Sequence, residues 1–222
     1  MTYLEECVRD SLPVWEKCLS TEFLKNMADG SLDEECLKGY IVDDSLYLRE
    51  YAKVFAWGII RAERMEEIRL LHSLMAFVND NEDAVRLRYL KRFGLTDDQI
   101  QTLPLRPENQ AYINTMIDTA KEGQGAAECL MACLPCMLSY SWIFRRLVSE
   151  HPSVRETSCG ALIEEYASDA YRELCLHWMQ QADELCGQIS GARREKCRKV
   201  FSACSEHEYR FWQMSSEKRN DL

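Results

Sequence analysis

An all-α, single-domain, multi-helix bundle is the fold class this sequence predicts, and three observations carry it. Apolar residues recur at helical rather than alternating spacing throughout. Runs of β-branched residues bounded by turn residues, the mark of strands, are missing. Punctuation is sparse, with nine Gly and five Pro in 222 residues, so the segments between breaks are long. A chain of this length buries roughly 70% of its unfolded surface without staples. With 46% hydrophobic residues it has the material for one core, which excludes a disordered or collagen-like chain.

The spacing predicts at least seven helices, over about 2–18, 20–29, 33–59, 63–92, 108–122, 126–150, 153–189 and 193–217, one of them broken. Gly30 and Ser31 close the second, and Asp33 or Ser31 caps the third. That third helix places Tyr40, Asp44, Tyr47 and Tyr51 at i, i+4, i+7 and i+11. In the fourth, Ile68, Leu71, Met75 and Val78 make the stripe. Gly94 ends it, and Thr96 stands as a cap before Asp97 and Asp98. The segment from Pro104 to Pro107 opens the next helix, and the one from Gly123 to Gly125 separates it from 126–150. Ser153 with Glu156 has the spacing of a capping box. In the last helix Cys204, Glu208, Phe211 and Met214 share a face. Beyond it, the polarity of Glu217 to Leu222 predicts a frayed end.

Charge narrows the partners. With 27 basic and 37 acidic residues the net charge is −10, which argues against a nucleic-acid backbone or an anionic membrane surface. The segment from Met1 to Cys7 has no basic stretch followed by an apolar one, so no secretory signal is read. The uncharged run from Cys129 to Phe144 is interrupted by Pro135 and falls short of the ~20 residues that span a bilayer. Eleven cysteines, an odd number, in a chain without an export signal point to a reducing cytoplasm. Most such thiols are small core residues.

Four constellations have the residue types for chemistry. Cys129, Cys133 and Cys136 follow a C-x3-C-x2-C pattern, but the strand-and-loop setting of an iron–sulfur site is missing, and on a helix the three form a stripe. The four histidines never occur in Glu-x-x-His or His-x3-His spacing, so no zinc or di-iron site is expected. Asp44 lies in an aromatic stripe, where a buried carboxylate would need a partner. It also reads as a solvated edge residue, and adjacent Asp43 leaves open which acid faces inward. Glu208, one turn before Phe211 and Trp212, is either a surface glutamate or a buried acid with a raised pKa suited to proton transfer. Last, Pro135 removes a backbone hydrogen bond next to Cys136, which either faces a pocket there or is a plain core thiol.

Taken together these segments form a pattern. It comprises Phe23 to Gly30 with Leu32, Tyr40 to Leu48, Ala132 to Tyr140, Ile163 to Tyr166 and Glu208 to Trp212. In order and spacing the chain resembles the TenA family of thiaminase II or aminopyrimidine aminohydrolase enzymes over nearly its whole length. The Leu-Pro-Cys-x3-Tyr and Glu-x2-Phe-Trp segments are the most specific marks. Two positions depart from the family: Asp43, where it often has Gln, and Leu162, where it often has Trp.

The resemblance implies a haem-oxygenase-like bundle without haem, usually a homotetramer, that needs no cofactor or metal. It implies hydrolysis of 4-amino-5-aminomethyl-2-methylpyrimidine to the hydroxymethylpyrimidine and ammonia, with thiamin as a secondary substrate. By match to the family's motifs, Cys136 is the nucleophile and Glu208 the acid and base. Asp44 holds the aminopyrimidine, and Tyr47, Tyr112, Tyr140 and Tyr166 shape its slot. Two other readings stand beside this one: a hydrolase of the same fold for a different amine, and a non-catalytic pyrimidine-binding protein.

Overall fold

The computed structural model describes the backbone of residues 1–222 and the side chains of all but residues 77–84, so Val78 of the fourth stripe lies outside the described side chains. Ten α-helices follow one another among the described residues: α1 Tyr3–Leu19, α2 Glu22–Asp29, α3 Glu34–Arg61, α4 Met65–Phe93, α5 Asp97–Gln101, α6 Pro107–Glu122, α7 Ala126–Glu150, α8 Gly160–Ala167, α9 Asp169–Gly187 and α10 Gly191–Ser215.

Local chemistry sets most of the boundaries. Thr2 and Glu5 form a reciprocal capping box at the start of α1, with Thr2 Oγ1 accepting from the Glu5 amide at 3.2 Å. Asp33 caps α3 by accepting from the Glu35 amide at 2.8 Å. Gly30 and Gly94, at φ 79° and 67°, provide the left-handed residues that close α2 and α4. Pro107 stands in the first turn of α6, where its missing N–H costs nothing.

Three expectations are corrected. Residues 153–189 are not one helix but a 3-10 turn, Pro152–Glu156, followed by α8 and α9. The chain folds back so tightly there that a Cβ on Gly160 would lie 2.1 Å from the Arg155 carbonyl oxygen. Ser168 then ends α8 and caps α9 through the Tyr171 amide at 3.0 Å. Ser153 makes no capping bond, since His151 is the residue preceding the turn. And the tail is not frayed: Arg219 is buried and ion-paired. The short α5, not separately expected, is held by a capping box between Thr96 and Gln99.

At the centre lies α7, which packs on α10, α9, α8, α3 and α6. It has the length and hydropathy of a membrane-crossing helix, the one such helix among the described residues, but 89% of its most apolar stretch is buried inside the bundle. It runs on through Pro135 to Glu150. Close approach to α3 depends on Gly58, where a Cβ would meet Cys129 Sγ at 2.7 Å. Around α7 the aromatic rings form a continuous layer. Tyr40 stacks on Trp212 at 5.6 Å and 10°, Trp212 reaches Tyr140 at 5.0 Å, and Phe144 stacks on Tyr166 at 5.5 Å. This layer packs together the stretches of α3, α7 and α10 on which the acidic residues and Cys136 stand.

Candidate active site

Each sequence-derived site residue is carried by a helix of the central packing: Asp44 and Tyr47 by α3, Tyr112 by α6, Cys136 and Tyr140 by α7, Tyr166 by α8 and Glu208 by α10. Ten of the eleven cysteines are buried and all are free thiols; Cys136 alone is half-exposed. Its neighbours Cys129 and Cys133 are core residues, and no cluster of three or more metal-ligating side chains occurs among the described residues.

Both open questions about the acids resolve inward. Glu208 is 2% exposed and Asp44 7%. Burial pushes the Glu208 carboxyl up to about 7, opposed by Tyr112, Ser139 and Cys136 and reinforced by the charge of Asp44. The Cys136 thiol is among the hydrogen-bonding neighbours of this carboxyl. The Ser139 hydroxyl lies 3.4 Å from Glu208 Oε2 and 3.1 Å from the Cys136 carbonyl, so it can donate to either. Tyr112's hydroxyl stands beside the same carboxyl without the geometry of a full hydrogen bond, and is a buried polar atom lacking a hydrogen-bond partner among the described residues.

Asp44 reaches about 7 for the same reason, burial, with Arg86 pulling it down and Asp43 pushing it up. An ionised carboxylate is costly to hold in such a place unless hydrogen-bond donors meet it. Between the two acids stands Tyr140, whose own hydroxyl is raised well above its usual range by burial and by Tyr40, Asp44, Glu208 and Cys136 around it. Tyr40 donates to Tyr140 across 3.3 Å. Tyr47 packs on Tyr112 at 5.2 Å and on Phe211 at 6.1 Å, building an aromatic wall. Tyr166 meets the group through Tyr140, edge-on at 4.9 Å.

Sequence reasoning missed two contributors. Ser139 carries no signal of its own, and it matters only because α7 and α10 pack against each other. His207 stacks flat on Tyr112, at 5.2 Å and 11°, with Nε2 2.9 Å from Thr115 Oγ1. Its pKa is lowered by burial and by the charge of Arg210.

Fold and side chains together define a helical-bundle protein in which one thiol, two buried carboxyls and a group of tyrosines are gathered on packed helices, a candidate small-molecule site. The chain belongs to the TENA/THI-4/PQQC family, whose profile matches residues 9–218. It is 28% identical over 203 residues to the aminopyrimidine aminohydrolase of Helicobacter pylori, covering 91% of this chain and 93% of that one. To the aminopyrimidine aminohydrolase of Halalkalibacterium halodurans it is 27% identical over 224 residues, covering 99% and 97%. The solved TenA homologue from P. horikoshii OT3 shares its fold, with a TM-score of 0.83 at 24% identity over 97% of this chain and 98% of that one.

Proposed function

We propose that the protein is an aminopyrimidine aminohydrolase of the thiaminase II type, a hydrolase serving thiamin salvage. The observation that carries this reading is the meeting of Cys136 with the buried Glu208 carboxyl, among tyrosines and with Asp44 nearby. A flat, electron-poor aminopyrimidine suits aromatic faces and a carboxylate that accepts an amino hydrogen. Asp44 fills that second role.

Glu208 accepts the Cys136 proton, and the thiolate adds to the pyrimidine ring while Glu208 delivers the proton to a ring nitrogen. The electron pair gained by the ring then expels the substituent on the exocyclic methylene carbon, ammonia from the protonated aminomethyl group or the neutral thiazole from thiamin. Water adds to that carbon and gives a proton back to Glu208, and the thiolate leaves as the ring nitrogen releases its proton, to the ammonia or to solvent, and the aromatic ring re-forms. Overall the amine and water give the alcohol and ammonia. A carboxyl near 7 is suited to both halves, because it holds or releases a proton close to neutral pH. The reading includes a reducing, cytoplasmic setting and a homotetramer.

Incubating the protein separately with 4-amino-5-aminomethyl-2-methylpyrimidine and with thiamin, and following ammonia and hydroxymethylpyrimidine, tests this reading. Release from the aminomethylpyrimidine, faster than from thiamin, is the expected result. Tight binding of both without release would make the protein a carrier instead, and turnover of only another amine would move the substrate.

A further inference from the structure

Asp43, beside Asp44 on α3, has no solvent exposure at all, and its surroundings are ionic. Arg106, just ahead of α6, donates to Asp43 Oδ2 through Nε at 2.9 Å and also through Nη2. From the far end of the chain Arg219 donates Nη1 to Asp43 Oδ1 at 2.6 Å. The same guanidinium donates Nη2 to the Pro104 carbonyl at 2.7 Å, and Nε and Nη2 to the Asp221 carboxylate at 2.9 and 2.8 Å. Asn109 of α6 donates to the Asp43 carbonyl at 2.8 Å. A side chain only 1% exposed thus ties the C-terminal tail, the approach to α6 and α3 into one knot directly behind Asp44.

We propose that Arg219 is a positioning residue for the pocket: its fork onto Asp43 fixes the turn of α3 that aims Asp44 inward and offsets the charge next to it. The proposal rests on the reading of Asp44 as the carboxylate that receives the substrate's amine. Among the described residues, the groups facing Asp44 are Arg86 from α4, Tyr140 from α7, Glu208 from α10 and Asp43 on its own helix. Those facing Asp43 are Arg106 and Arg219. Arg219 is a cation that cannot be discharged, so its removal raises the titration of the Asp43–Asp44 pair whichever member holds the proton. It also frees the helix turn from the tail, which loosens the aim of Asp44.

The test compares the wild-type chain with Arg219→Met, Arg219→Lys and the double variant Arg219→Met with Asp43→Asn. Two readouts are taken: the 13C titration of the Asp44 carboxyl without ligand, assigned through Asp44→Asn, and steady-state hydrolysis of the aminomethylpyrimidine. In Arg219→Met the Asp44 midpoint is expected to rise by about one pH unit, and in the double variant to return to the wild-type value or below. KM is expected to rise about tenfold in Arg219→Met, with kcat per folded site nearly unchanged. Arg219→Lys keeps the charge in place and separates charge from geometry: its Asp44 midpoint stays, while KM still rises because Lys cannot fork. An unchanged Asp44 midpoint in folded Arg219→Met overturns the proposal. So does a loss of kcat with KM unchanged, the signature of a merely structural tie that lowers the folded fraction. Should Arg219→Met fail to fold, an unchanged KM in Arg219→Lys overturns it by itself. A wild-type chain that turns over no pyrimidine refutes the proposed function, and the ligand-free titration then decides the role of Arg219 alone.

Discussion

Asp43 and Asp44 are adjacent, both buried and both raised by that burial, but only Asp43 is ion-paired with guanidiniums that oppose the shift directly. Behind α3, the Asp43 carboxylate sits between two guanidiniums, and each side-chain nitrogen of the buried Arg219 donates at least one hydrogen bond. Inside the pocket, Asp44 and Glu208 are pushed up to about 7 by burial, with only neutral hydrogen-bonding groups and the Arg86 charge opposing. The ionic knot is a fastening, costly to break and chemically quiet. Around the two pocket acids hydrogen-bonding capacity is left unmet, as at the buried Tyr112 hydroxyl, which the proposed function assigns to a ligand. Burial alone therefore does not mark a functional acid; burial without a paired cation does.

That contrast can be broken from either side. The largest effect is expected from Cys136→Ser, which should lower turnover on the order of 10³-fold or more. Circular dichroism and pyrimidine binding should stay near wild type, since the side chain is half-exposed and the volume change is small. Next comes Glu208→Gln, expected to cost about 10²- to 10⁴-fold in kcat. This variant should also raise the melting temperature above neutral pH. An acid whose folded pKa lies above its unfolded value near 4.5 binds its proton more tightly in the folded state. It therefore destabilises progressively as pH rises from the unfolded pKa to about 7, by about 3 kcal/mol once both forms are ionised. Removing the charge relieves that cost, and a melting temperature lower than wild type at alkaline pH would count against the burial argument.

On the other side of α3 the sign reverses. Asp43→Ala strands two guanidiniums and is expected to destabilise by about 3–5 kcal/mol, read as a melting temperature lower by roughly 10 °C. A smaller effect is expected from Asp44→Asn, about 10- to 100-fold in KM for the aminomethylpyrimidine, the value of one charge-assisted hydrogen bond. Its thermal stability at alkaline pH should be unchanged or higher. If Asp43→Ala and Asp44→Asn instead shifted stability alike, the distinction between the two regions would fail.

Much of this was legible in the amino-acid order. The helical spacing, the caps at Asp33 and Thr96 and the glycines at 30 and 94 were enough to bound most helices, because these signals act within one turn of chain. Cys136, Glu208 and Asp44 stood out on single helices, each with an ordinary core or surface reading beside it, and their roles came from the resemblance to the family. What was hidden depends on distant partners. No periodicity tells which of two neighbouring acids turns inward, and here both do, because α6 and the tail cover one side of α3 while α7 and α10 cover the other. Arg219 reaches Asp43 across 176 positions of sequence, so a polar tail that read as frayed is a buried anchor. The breaks before α8 and α9 come from a tight return at Gly160 and a cap at Ser168, both masked by a continuous apolar spacing. His207 is invisible for a similar reason: its stacking on Tyr112 joins α10 to α6.

The pH dependence of kcat/KM for the aminomethylpyrimidine tests the contrast most directly. The active state of the Cys136–Glu208 pair carries one shared proton, and a second proton on Glu208 removes the acceptor for the thiol. Activity should therefore rise with pH along an acidic limb whose midpoint is near the raised value of the pocket acids, about 7. A limb in the ordinary carboxylate range, about 4, or a profile flat down to that range, would contradict the claim that uncompensated burial has tuned these two acids for work.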